Sequence, residues 1–201
     1  MNFEKIAENL KNNLFEVSVF DTKEDASEYL NKKIDKRSVG FGGSVTINEM
    51  GLFESLSTHN ITYSHSHIPE GKTQKEIISL AQGADIYISS ANAVTYDGEI
   101  VNIDGRGNRV ASTLYGHEKI YIIVGQNKFE PTLEKAIYRA RNIAAPKNAQ
   151  RLNRKTPCAI NGDKCYNCNS PDRICNGLVI HYKKVYSGDM EIIIIKEDLG
   201  Y

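Results

Sequence analysis

Helices and strands alternate along this sequence in the manner of an α/β domain with a mostly parallel sheet flanked by helices. Three observations predict that class. Apolar runs of strand length recur, such as residues 120–124 and 192–195. Between them, apolar residues fall at helical spacing. A single Asp-Gly hairpin signal at 97–98 adds one antiparallel element.

Phe3, Ile6, Ala7, Leu10 and Leu14 share one helical face, predicting a first helix over 3–14. Residues 15–20 alternate like a strand. Asp21 followed by Glu24 resembles a capping box and opens a helix running to Ile34. Residues 38–44 read as a short strand running into a glycine loop, followed by a helix over 47–57 and a strand over 61–64. A helix over 73–83 carries Ile77, Ile78 and Ala81 on one face, and a strand over 85–89 follows. Tyr96-Asp97-Gly98-Glu99 marks a hairpin, because Asp-Gly suits the positive φ angles of a two-residue turn. Its returning strand is 99–103, succeeded by a short helix at 110–115 and a strand at 120–124. From Thr132 a long helix is expected to bury Leu133, Ala136, Ile137, Ala140 and Ile143 and to stop near Pro146. Strands at 178–184 and 190–196 close the chain.

The length suits one domain over residues 1–201. Lysine and arginine total 25 and aspartate and glutamate 25, so there is no basic surplus for a nucleic-acid partner held through phosphates. The N-terminus goes straight into a charged amphipathic pattern without the apolar core of a secretory signal, and no run approaches a membrane span. The expectation is a cytoplasmic protein with no membrane partner, whose thiols stay reduced.

Residues 150–177 carry no apolar periodicity, and a gap of this length needs something other than a hydrophobic core to order it. All four cysteines lie there: Cys158, Cys165, Cys168 and Cys175, spaced Cys-x6-Cys-x2-Cys-x6-Cys. The central pair can grip a metal within one turn and the outer two can close a tetrahedral set, which predicts a metal-binding insertion. One Cys-x2-Cys knuckle and the nearby Pro171 point to a [4Fe–4S] cluster, with zinc as the alternative. Free thiols or adventitious disulfides in a loop are the plainer reading.

Two further stretches bear on chemistry. Gly40, Gly42, Gly43 and Ser44 stand between a strand and a helix, where glycines admit a ligand to the backbone and amides favour a phosphate or carboxylate. The loop is neither a Walker sequence nor a dinucleotide fingerprint, and a ligand-free tight turn is the alternative. The stretch from Asn102 to Arg109 leaves a strand through Gly105 and Gly107, with Asn102 and Asp104 on one strand face and Glu99 at the hairpin. Glu99, Asp104 and Arg109 are therefore the candidate catalytic groups. A carboxylate would move a proton and the guanidinium would clamp an acid, with Asn102 and Asn108 as ligand contacts. The alternative has Asp104 and Asn108 capping a turn.

His65 and His67 share a face but have no third ligand at clear spacing, so no metal site is read there. His117 and His181 are expected at the surface or in caps, and Arg151, Arg154 and Lys155 on a solvated face, with the cluster or an anion as their alternative partner.

Residues 39–44, 101–109, 144–152 and 155–176 together resemble the LUD (lactate-utilisation) domain family, in its stand-alone, cysteine-bearing branch. The resemblance covers roughly residues 3–184. It implies a fold similar to ribose-5-phosphate isomerase, glucosamine-6-phosphate deaminase and the CoA transferases, in which the glycine loop holds a phosphate- or carboxylate-bearing ligand. It also implies work beside other lactate-utilisation subunits in an iron–sulfur system oxidising L-lactate to pyruvate. No ferredoxin-like cysteine repeat and no second domain are present, which argues against a complete oxidase in one chain. A sugar-phosphate isomerase-like or acyl-transferring enzyme with a structural metal, and a non-catalytic assembly subunit, are the rival readings.

Overall fold

The strands that read as continuous apolar runs end up covered on both faces, as parallel strands must be. The computed structural model describes residues 1–201. In chain order it holds α1 (Phe3–Asn12), β1 (Glu16–Phe20), α2 (Lys23–Lys33), β2 (Ser38–Phe41), α3 (Val45–Glu49), α4 (Leu52–Leu56), β3 (Ile61–Ser64), α5 (Gln74–Gln82), β4 (Ile86–Ser90), β5 (Ala93–Thr95) and β6 (Ile100–Asp104). Then follow α6 (Asn108–Leu114), β7 (Lys119–Gly125), β8 (Phe129–Glu130), α7 (Leu133–Arg139), a π-helical turn at Ala140–Ala144, α8 (Ala145–Arg151), α9 (Pro157–Asn161), β9 (Gly177–His181) and β10 (Asp189–Ile195). No helix is long and apolar enough to cross a membrane.

Six strands form a wholly parallel sheet in the order β1-β10-β7-β4-β2-β3. Its inner strands alternate side chains between two cores. Ile193 and Ile195 join Val39, Ile88 and Ile123 under α2, α3 and α4, while Ile192 and Ile194 join Ile120, Ile122 and Val124 under α1. A fully buried isoleucine of this kind contributes about 1.5–3 kcal/mol through area removed from water. On β10, next to the edge strand β1, the buried Glu191 accepts from Ser18 and Tyr29 at 2.7 Å and from Lys33 at 2.9 Å. Burial alone would raise its pKa, but those hydrogen bonds outweigh it and hold the carboxylate ionised.

The expected class is thus found, with a second sheet that the alternation did not reveal. β8, β5, β6 and β9 make a small mixed sheet in that order. The predicted hairpin is its β5–β6 pair, with Gly98 at φ +93° in the turn. The penultimate strand, β9, pairs antiparallel with β6 instead of entering the main sheet. Because β4 and β5 are separated by two residues, this sheet sits directly beyond the carboxyl end of β4.

Three local expectations are corrected. Thr22, not Asp21, caps α2, accepting from the backbone N–H of Asp25 at 3.1 Å. The helix read over 47–57 is two short helices, broken where Gly51 takes φ +60°. Pro146 does not stop the long helix. The π turn immediately before it widens the ladder and gives the proline ring room, so helical backbone runs on to Arg151. That change of phase also turns Ile143 outward, while Ala136, Ala140 and Ala144 stay buried.

Candidate functional site

The carboxyl ends of β2, β4 and β7 lie side by side in the sheet, where open α/β sheets place their ligands. A cavity of about 550 Å³ opens there, between the main sheet, the second sheet, α8 and the cysteine-bearing segment. At its floor stands a residue with no signature in the sequence. Lys128 follows β7 and is 3% exposed. Its Nζ donates to Thr46 Oγ1 at 2.7 Å and to Ser90 Oγ at 2.9 Å. No carboxylate pairs with it. Burial, followed by repulsion from Arg139 and Arg109, brings its pKa down to about 7.

His65, at the end of the β3 region, also faces the cavity, its ring edge closing over Gly43. Burial, and then the charge of Arg106, hold its pKa below the ordinary histidine range, so the ring is neutral at pH 7. A neutral imidazole and a buried ammonium on one cavity give the site a proton acceptor and an anion holder. His67 goes elsewhere, stacking on Phe53 with ring centroids 3.9 Å apart and facing Glu54 at 3.3 Å. The two imidazoles therefore serve different places.

The glycine loop divides. Gly43 and Ser44 line the cavity. Gly40 does not, because any side chain there would collide with the Ala81 carbonyl where α5 packs on β2. Gly42 is also a packing position, since a Cβ would sit 2.8 Å from Ser89 Oγ and 3.1 Å from Tyr87 Oη. Ser44 caps α3, accepting from Ile47 N–H at 3.4 Å, and α3 has only five residues, so it offers little of the aligned dipole an anion seeks.

The Asn102–Arg109 stretch supplies structure as well as lining. Asp104 lines the cavity and caps the start of α6: Oδ1 accepts from Arg106 N–H at 3.2 Å, Oδ2 from Arg109 and Val110 N–H at 3.1 and 3.2 Å. Arg109 lines it too, but both terminal nitrogens are engaged. Nη1 donates to Ser90 O and Asn102 Oδ1 at 3.1 and 2.6 Å, Nη2 to Asn92 Oδ1 and Ile103 O at 3.3 and 2.6 Å. The guanidinium locks the two sheets together and is not a free clamp. Asn102 is fully buried as its partner, with Nδ2 unpaired. Asn108 lines the cavity. Glu99 does not. It is held by Thr95 at the hairpin, the opposite end of β6 from Asp104, so the two carboxylates are not neighbours.

His117 and His181, expected at the surface, are 2% and 4% exposed. Each donates one ring N–H to a carbonyl, His117 Nδ1 to Ala84 at 2.7 Å and His181 Nε2 to Thr113 at 3.1 Å. Burial lowers both pKa values, and the rings serve as neutral core members.

The cysteine segment is stitched to the same turn as Asp104. Asn176 N–H donates to Asp104 O at 3.0 Å and its Nδ2 to Gly105 O at 3.0 Å. Gly105 permits this approach, for a Cβ there would lie 2.9 Å from Ile174 O. Pro171, Asp172, Arg173 and Ile174 consequently form one wall of the main cavity. Cys165 and Cys175 line a smaller cavity of about 300 Å³ that shares Ile103 and Arg173 with the larger one.

All four cysteines are free thiols, partly exposed. Backbone or guanidinium N–H groups approach two of the sulfurs, Asn167 N–H to Cys165 Sγ at 3.3 Å and Arg173 Nε to Cys175 Sγ at 3.2 Å, and the Thr156 hydroxyl lies 3.3 Å from Cys158 Sγ. Such N–H···S contacts suit a thiolate-ligated group, as does the four-sulfur donor set itself. No three ligating side chains converge on one point in this arrangement.

A model of the LUD domain family matches residues 3–195. Among curated proteins none matches. Of solved structures, a DUF162 family protein from Deinococcus radiodurans superposes with TM-score 0.52 at 10% identity, covering 96% of this chain and 95% of that one. Ribose 5-phosphate isomerase A from Neisseria gonorrhoeae gives TM-score 0.35 at 20% identity over 55% of this chain and 54% of its own. At 10% identity the first of these likenesses speaks to fold alone.

Proposed function

The chain belongs to the LUD domain family, and on that premise we propose that it binds a small hydroxy or oxo acid in the cationic cavity and serves lactate or related hydroxy-acid utilisation. The observation that carries this reading is Lys128: a buried ammonium with two hydroxyl acceptors and no carboxylate, at the floor of a cavity. A buried cation is costly unless something pairs with it, and the acid supplies the missing charge. His65, neutral and facing the same space, is the group placed to accept the hydroxyl proton of such an acid.

Cys158, Cys165, Cys168 and Cys175 would hold the metal group, a [4Fe–4S] cluster or, alternatively, zinc. A cluster would supply one-electron transfer and zinc a structural clasp. Support for a functional link comes from Arg173, which reaches Cys175 Sγ and lines the acid cavity with the same side chain. The isomerase-like reading, with Asp104 or Glu99 as the base, has less support, because Glu99 is outside the cavity lining and Asp104, inside it, already accepts from three backbone N–H groups.

The test is anaerobic purification followed by an absorption spectrum, metal and sulfide analysis, and titration with L-lactate and pyruvate. The redox reading expects iron, sulfide and a band near ~400 nm that bleaches with dithionite. One zinc per colourless chain would reassign the segment as a clasp. Failure of both acids to bind, or binding unchanged in Lys128→Met, would remove the acid-binding reading.

A further inference from the structure

Lactate is too small for this cavity. At roughly 30 Å³ per heavy atom, the share a water takes in the liquid, its six heavy atoms occupy roughly 180 Å³. The space is about 550 Å³. The surplus volume is strongly cationic: besides Lys128, the cavity is lined by Arg106, Arg151, Arg154 and Arg173. None of these four guanidinium groups has a carboxylate within 4.0 Å. The two acids in the lining are spent on backbone amides, Asp104 on the start of α6 and Asp172 on Lys155 N–H at 3.0 Å. On a chain with equal numbers of positive and negative residues, such a concentration of unpaired charge repels itself.

We infer that the ligand carries two separated anionic groups, the first held at Lys128 and the second at a rim subsite built by Arg154 and Arg173 of the cysteine segment. This rests on the acid-binding reading above for the floor alone. The rim has its own support. The Arg154 side chain is exposed and makes no hydrogen bond within the protein. Arg173 is fixed by Nε on Cys175 and Nη1 on the Cys168 carbonyl at 2.9 Å, which leaves Nη2 without a protein acceptor. Lys128, by contrast, is sealed at the floor between Thr46 and Ser90. A compact ammonium suits one carboxylate, while paired guanidinium groups suit the oxygens of a phosphate. The ligand class is a short hydroxy acid that bears a phosphate at its far end. Because both rim arginines ride on the cysteine-bearing segment, occupancy of the four thiols and affinity at the rim are coupled.

Calorimetric titration of the full chain with L-lactate, inorganic phosphate and D-3-phosphoglycerate tests this. Phosphoglycerate is expected to bind at least about tenfold tighter than either single-anion probe, the yield of one charge-assisted contact. Arg154→Glu, at an exposed position, should remove that advantage. Equal affinity for the three probes, or an advantage that survives both Arg154→Glu and Arg173→Gln, overturns the rim subsite while leaving the floor intact. Loss of the advantage in Arg154→Glu combined with unchanged binding in Lys128→Met overturns the floor and keeps the rim. Binding of no probe overturns both.

Discussion

Lys128 Nζ lies 2.7 Å from Thr46 Oγ1, and this hydroxyl, itself donating to the Leu199 carbonyl at 3.2 Å, is the best partner a buried ammonium has at the cavity floor. Two hydroxyl dipoles do not offset the loss of hydration of a full charge. Lys128→Met keeps the volume and removes the charge, so the ligand-free protein should gain about 1–3 kcal/mol in urea unfolding while anion binding is lost. A variant that loses stability and still binds lactate would show that the lysine is structural.

The pH dependence follows from the same group. Its pKa in the fold is about 7 against an ordinary 10.5, through burial and then Arg139 and Arg109, with Glu49 pulling the other way. Between those values the unfolded chain carries a proton that the fold does not, so this group makes stability rise with pH across that window, and its full cost is felt below pH 7. An anion at the floor restores the proton. Lactate affinity should therefore fall by up to about tenfold per pH unit above pH 7, with proton uptake on binding. Titrations at pH 8 in two buffers of different ionisation enthalpy measure that proton directly, and equal heats in the two would contradict it.

The strands, the hairpin at Gly98 and the cysteine segment are written in local patterns, because period, turn chemistry and spacing are local properties. Lys128 is not, since Gly125-Gln126-Asn127-Lys128 reads as an ordinary polar strand end. Only the parallel packing of β7 against β4 brings it under Ser90. The same holds for His117, which enters the core by stacking on Tyr87 with centroids 4.8 Å apart. Pairing of β9 with β6, far apart in the chain, is what carries the cysteine segment to Asp104 and Gly105. Glu99 and Asp104 looked adjacent because they are close in number, yet an extended strand of five residues holds them at opposite ends, roughly 15 Å apart.

Arg109 should prove a stability residue. Replacing it with alanine leaves Asn102 Oδ1, Asn92 Oδ1 and the carbonyls of Ser90 and Ile103 short of a donor in the space between the two sheets. A loss of about 2–4 kcal/mol is expected, read as a lower urea midpoint. If Arg109→Ala kept its midpoint and lost only lactate affinity, the guanidinium would be the free clamp that its sequence position first suggests.

The docking of the cysteine segment turns on Gly105, whose missing side chain lets Ile174 O approach to within 2.9 Å of where a Cβ would stand. The clash is with backbone, so it cannot be relieved by a rotamer change, and Gly105→Ala must push residues 171–176 away from the turn. The main and second sheets do not depend on that contact, and the unfolding free energy in urea should change by less than about 1 kcal/mol. What should change is the chemistry of the segment. With Asn176 detached from Asp104 O and Gly105 O, the thiols should react faster with a disulfide reagent, and metal content after anaerobic purification should drop. Phosphoglycerate should lose its advantage over lactate as Arg173 moves off. Unaltered thiol reactivity and metal content in Gly105→Ala would mean that the segment orders itself without the turn, and that its place in the cavity wall is not what holds the four cysteines together.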